Sequence, residues 1–122
     1  MPMASQTNNH TEELARLLSS RESEHLEFKE ASHNFNFYTL VKYCAALANE
    51  GGGRMVLGLT DRLPRQVVGT QAFEQIECTK LGLVERLRLR VEVDEWSTPE
   101  GCVLVFRVPS RPSTKGPSAK LC

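Results

Sequence analysis

The chain has 122 residues, 40% of them hydrophobic and 25% charged, with fifteen basic residues against fifteen acidic ones. That length allows one domain with a modest core, and zero formal charge removes any global attraction to nucleic acid, leaving only local patches. No apolar run approaches a membrane span, and the N-terminus lacks the apolar core of a signal peptide.

Residues 1–10 are polar and read as a disordered start. Thr11 can cap a short helix whose apolar face is Leu14, Leu17 and Leu18. In R-E-S-E-H-L-E-F-K-E-A, residues 21–31, the second half alternates. Leu26 and Phe28 face one way and His25, Glu27 and Lys29 the other, as in a half-buried strand. A polar connection, with Asn34 or Asn36 as cap, leads into a central helix. There Phe37, Leu40, Val41, Cys44, Ala45, Leu47 and Ala48 recur at the spacing of one buried face. Asn49 with Gly51, Gly52 and Gly53 stops that helix. Arg54 to Leu59 is short, apolar on both faces, and predicts a central strand covered on both sides. Asp61 sits at its exit, where folds with parallel strands place binding or chemistry.

Residues 62–65 then form a turn, and Gln66 to Gly69 a second short strand in a hairpin with the first. A second helix starts near Gln71 and buries Phe73, Ile76, Val84 and Leu87, with Gly82 costing about 1 kcal/mol relative to Ala. From Arg86 to Asp94 strict alternation, R-L-R-L-R-V-E-V-D, predicts a strand with one wet face. A turn over 97–101 returns the chain as an apolar strand, Cys102 to Val108, closing an antiparallel hairpin. Residues 110–122 are rich in Pro, Ser, Gly and Lys and read as a flexible tail. The expected fold is α+β over residues 11–109. Its mixed sheet has a central strand at about 54–59 and a C-terminal hairpin, with two main helices packed on the sheet.

The glycines at 51–53 do not make a phosphate loop. Such a loop runs strand, glycines, helix, so that helix amides face the anion. Here the glycines follow a helix and precede a strand, presenting carbonyls and the negative end of a dipole. The four cysteines, at 44, 78, 102 and 122, form no C-x-x-C and have no histidine at ligand spacing, which argues against zinc. Cys44 and Cys102 read as small core hydrophobes, a usage that fits a reducing cytoplasm.

Three segments together resemble the Schlafen AlbA-type DNA-binding domain family, found in bacterial transcriptional regulators and helicase-related proteins. They are E-S-E-H-L-E-F-K (22–29), A-L-A-N-E-G-G-G-R-M-V-L-G-L-T-D (46–61) and V-L-V-F-R-V-P-S (103–110). Glu22, Glu27, Phe28, Lys29, Asn49, Gly52, Gly53 and Gly58 occupy the family's pattern positions. Members usually continue past V-P-S with an aromatic and arginine-containing stretch. This chain continues differently, as an excised or truncated domain would.

The resemblance implies a cytoplasmic nucleic-acid-binding module, DNA ahead of RNA, with no cofactor required for binding. It also implies a rival: in Schlafen nucleases two glutamates and an aspartate, here Glu22, Glu27 and Asp61, serve metal-dependent RNA cleavage. Grouped carboxylates suit Mg²⁺ or Mn²⁺, which activates water and offsets phosphoryl charge. Residues five apart do not share a helix face, so Glu22 must come from the turn before the strand carrying Glu27.

For phosphate contact, Arg86, Arg88 and Arg90 on one strand face would stand about 6.6 Å apart. Lys29, Arg54, Arg62, Arg65 and Arg107 are further candidates. The plain alternative for all of them is a solvated surface of mixed charge. His25 and His33 could assist proton transfer but read as exposed. Trp96 could stack on a base, though covering the sheet end is the stronger expectation. A third reading is a homodimerisation module, pairing the strand from Arg86 or the 102–108 hairpin across a two-fold axis.

Overall fold

The computed structural model describes residues 11–112; the expected disordered start at 1–10 and the tail beyond 112 lie outside them. A first helix, α1, covers 11–18. Then come β1 (Leu26–Lys29), α2 (Phe37–Asn49), β2 (Gly53–Leu57), α3 (Ile76–Leu87), β3 (Glu92–Thr98) and β4 (Gly101–Val108). The strands form one sheet in the order β1-β2-β4-β3. β1 and β2 are parallel, while β2–β4 and β3–β4 are antiparallel. The chain is therefore α+β with a mixed sheet. No helix among the described residues is long and apolar enough to cross a membrane.

β2 is the central strand because both its faces are apolar and both are covered. Met55 and Leu57 enter one core with Leu40, Cys44 and Leu47 of α2 and Leu83 and Leu87 of α3. Val56, with Leu59 just beyond the strand, enters a second core with Leu17 of α1, Leu26, Phe28 and Trp96. Trp96, 5% exposed, is a packing residue. α2 starts at Asn36, whose side chain accepts from the Thr39 amide at 3.0 Å. It stops in a glycine motif in which the Gly52 amide reaches back to the Leu47 carbonyl at 2.8 Å.

Gly53 then lets β1 and β2 meet. A Cβ there would collide with the His25 carbonyl, whose oxygen accepts from the Arg54 amide at 3.0 Å.

Three expected boundaries move. Regular pairing of β2 ends at Leu57, because Gly58 takes φ 108°; the expected 66–69 hairpin reduces to a single bridge, Leu59 to Val67. The second helix begins at Ile76 and not at Gln71. Phe73 takes a left-handed φ of 58°, and Thr70 and Gln71 are tied instead to the Ala31 and Ser32 carbonyls. The strand expected from Arg86 begins at Glu92. Leu87, Leu89 and Val91 are indeed buried and the arginines between them exposed, as the alternation demands. The backbone achieves this differently, since Leu87 ends α3 and Arg88, left-handed at φ 59°, turns the chain.

The fold also runs past the expected boundary at 109. The Arg111 amide donates to the Ala48 carbonyl at 2.9 Å. Its guanidinium donates to Asn49 Oδ1 at 2.9 Å and to the Leu87 carbonyl at 3.3 Å. One side chain thus serves the C-terminal ends of both α2 and α3. Of the two strand pairings considered for a dimer, β4 has both edges occupied. Only the β3 edge remains, and it carries Glu92, Asp94 and Glu95, charges that discourage edge-to-edge pairing.

Gly53→Ala is expected to push β1 from β2 and destabilise the fold by about 1–3 kcal/mol. Equilibrium denaturation reads this as a lower midpoint; an unchanged midpoint would show that the two strands tolerate a wider separation.

Candidate functional site

The segment before β1 folds back on itself, with paired hydrogen bonds between Ser23 and Leu26 at 2.9 and 3.2 Å. This carries Glu22 alongside the strand, where its carboxylate accepts from the Phe28 amide at 3.2 Å. Because β1 is an edge strand, that amide is open to a side chain. Glu22 also shares a hydrogen bond with Glu27, so the turn does bring the two glutamates together. Burial pushes the Glu27 carboxyl up to about 7, reinforced by that hydrogen bond and by the charges of Glu22 and Asp61, against the pull of Lys29. The Lys29 ammonium lies 3.8 Å from Glu27 and 5.2 Å from the Tyr43 ring centre. Its pKa is raised, first by the hydrogen bond with Tyr43.

Asp61 is exposed in the loop leaving β2 and acts on Glu27 through its charge. Beside it an open hollow of about 490 Å³ is lined in part by Glu30, Thr60, Asp61, Arg62 and Gln66. The loop is held by Arg65, which is 6% exposed. Its guanidinium lies 3.7 Å from the Phe28 ring centre. It donates to the Asp61 carbonyl at 2.7 Å, the Thr60 carbonyl at 3.0 Å and the Ser20 carbonyl at 3.0 Å. One buried cation thus joins the loop bearing Asp61 to the connection that bears Glu22.

Among the described residues no three His, Cys, Asp or Glu side chains stand close enough together to hold a metal ion. The expected trio of Glu22, Glu27 and Asp61 is therefore not assembled, and only Glu22 and Glu27 stand side by side. Mg²⁺ is commonly held by one or two carboxylates, with water and substrate phosphate completing the shell.

The eight basic candidates separate. Arg54 pairs with Glu13 at 3.4 Å, Lys29 with Glu27, and Arg107 with Asp94; Arg65 is buried in the loop. Arg62, Arg86, Arg88 and Arg90 are exposed, and no ion pair among the described residues includes them. The regular ladder expected of Arg86, Arg88 and Arg90 does not exist, because no strand carries them. They gather at the C-terminal end of α3, where the helix dipole favours positive charge. The His25 ring lies with Nδ1 2.8 Å from the Gly52 carbonyl, a structural tie to the glycine loop. His33 is exposed.

The family described as Schlafen, AlbA_2 matches residues 22–119. The chain belongs to this Schlafen family. Its fold is similar to that of the DIP2311 protein from Corynebacterium diphtheriae, with 18% identity, a TM-score of 0.60, and coverage of 89% of this chain and 27% of that one. The chain thus spans about a quarter of that protein. It is also similar to the N-terminal domain of a RecG-related helicase protein from Nitrosomonas europaea, with 21% identity, a TM-score of 0.56, and coverage of 85% and 74%. At such identities the likeness is one of fold. No curated protein matches the sequence.

Within this Schlafen domain the motif glutamates are visible in the sequence, whereas the structural roles of Arg65 and Arg111 are not. Arg65 reads as one more surface cation in a turn, and only the folded chain places Phe28 and Ser20 against it.

Glu27 binds its proton more tightly folded than unfolded, so its contribution to stability is undiminished below about pH 4.5 and is lost as pH rises toward about 7. Glu27→Gln is therefore expected to gain stability relative to wild type as pH rises through that interval. Denaturation midpoints of both proteins between about pH 5 and about pH 8 test this; a difference constant with pH would contradict it.

Proposed function

We propose that this Schlafen AlbA_2 domain binds nucleic acid, DNA ahead of RNA, as the module of a transcriptional-regulator-like protein. Arginines at the end of α3 supply the phosphate contacts. The observation that carries the reading is the sorting of the cations. Three of the five exposed arginines that form no ion pair among the described residues fall within residues 86–90, Arg21 and Arg62 being the others. Paired cations have already been neutralised by the protein, while unpaired exposed ones can displace the counterions of a phosphate chain. The preference for DNA draws support from the neighbour named as a RecG-related DNA helicase protein.

Arg88→Asn with Arg90→Gln removes two charges, and Asn tolerates the left-handed backbone at 88. Binding of a labelled DNA duplex across a salt series is expected to weaken, with a salt slope shallower by about 0.9 for each phosphate no longer neutralised. A slope identical to wild type would remove these arginines from the interface.

A second reading is metal-dependent phosphodiester cleavage, favoured by the hydrogen-bonded pair Glu22 and Glu27 under the field of Asp61. A divalent cation held by that pair would supply Lewis acidity toward a phosphoryl oxygen and a more acidic water. Glu27, with its carboxyl near 7, is suited to exchange a proton near neutral pH. Incubation of structured RNA and single-stranded DNA with Mn²⁺ is expected to give cleavage that Glu27→Gln abolishes while binding persists. Intact nucleic acid at every metal concentration, despite binding, would retire this reading and leave the first.

A further inference from the structure

Tyr38, the second residue of α2, is 61% exposed and yet closely positioned. Its ring meets Phe37 edge-on, with centres 5.7 Å apart and planes at 71°. The Arg86 guanidinium lies 4.9 Å from the Tyr38 centre and 5.3 Å from the Phe37 centre, within cation–π range of both. Phe37 is seated on α3 at Gly82, where a Cβ would come within 2.9 Å of its ring. The tyrosine is therefore held from two sides and offered to solvent, and the residue that holds it belongs to the unpaired arginine cluster. Glu85 is the single acidic residue among 82–91, against Arg86, Arg88 and Arg90.

We propose that Tyr38 and Arg86 form a stacking platform for an unpaired nucleobase, with Arg88 and Arg90 engaging the adjoining phosphates, so that the ligand is a single strand. The proposal rests on the phosphate-binding reading above and names the ligand class of the same surface. A flat aromatic face is of use to a base only when that base is free of its partner. The pairing of an aromatic ring with clustered cations is the combination that single strands require. A ring already fixed by Phe37 and Arg86 also loses little freedom on stacking.

The test compares wild type, Tyr38→Ala and Tyr38→Phe against labelled oligothymidine and oligouridine of about 12 nucleotides and a DNA duplex of the same length. Tyr38→Ala is expected to weaken single-strand affinity about tenfold or more, to leave duplex affinity within about twofold, and to be rescued by Tyr38→Phe. Gly82→Ala, which displaces Phe37, is expected to weaken it in the same direction. A loss in either single-strand arm supports the platform, and the arm affected tells a thymidine strand from a uridine one. Single-strand affinity unchanged in Tyr38→Ala, with salt-sensitive binding intact, would overturn the platform and leave the phosphate reading standing. Self-association that vanishes in Tyr38→Ala while oligonucleotide affinity holds would overturn it in favour of a protein contact. No binding of any oligonucleotide by wild type removes the phosphate reading, and the platform with it.

Discussion

The arrangement of the carboxylate corner depends on one buried cation. Arg65 has no carboxylate partner among the described ion pairs; its charge is met by three backbone carbonyls and the face of Phe28. Isolated buried charge is costly, and only full hydrogen bonding makes it tolerable. That cost makes the arrangement specific: Ser20, Thr60 and Asp61 must all be in place for the guanidinium to be satisfied. Glu22 follows Ser20 by two residues, and Asp61 itself supplies one of the accepting carbonyls. The loops that carry two of the three acidic groups are thereby fixed relative to β1, which carries the third.

A neutral chain is compatible with the proposed nucleic-acid ligand because of how its charges are distributed. Glu13, Glu27 and Asp94 neutralise Arg54, Lys29 and Arg107, and Arg65 is consumed in the interior. Those pairs cancel within themselves, and the unpaired positive charge at 86–90 is offset by acids elsewhere that form no ion pair among the described residues, Glu22, Glu24 and Asp61 among them. A total of zero describes the sum and not the surface.

Much of the fold was legible because burial leaves periodic traces. The face of α2 from Leu40 to Ala48, the doubly buried β2 and the closing hairpin each follow their sequence period. The stretch 86–91 misled for an instructive reason. Period-two burial is usually a strand, but a helix end followed by a left-handed residue at Arg88 and an extended connection buries Leu87, Leu89 and Val91 in the same alternation. Phe73 misled similarly: its hydrophobicity suggested a helical face, while its left-handed backbone keeps α3 from starting before Ile76. In the site, motif spacing indicated Glu22 and Glu27, and their opposition across a tight turn followed from the failure of helical geometry. The role of Arg65 was invisible, because its partners are backbone carbonyls that leave no mark in sequence.

The two charged regions make opposite demands on a phosphate chain. At the end of α3 the proposed arginine contacts would attract it directly, with no metal ion needed. At the acidic corner, ionised Glu22, Glu27 and Asp61 would repel it. The raised Glu27 carboxyl moderates that repulsion, since near neutral pH a large fraction of Glu27 keeps its proton. A divalent cation would displace that proton, because the ligating form of a carboxylate is the ionised one. Proton and cation therefore compete for the same pair of oxygens, and either one reduces the negative charge that a phosphate would meet. On the readings proposed above, attachment through the arginines would need neither, so holding a strand and cleaving it would be separable properties.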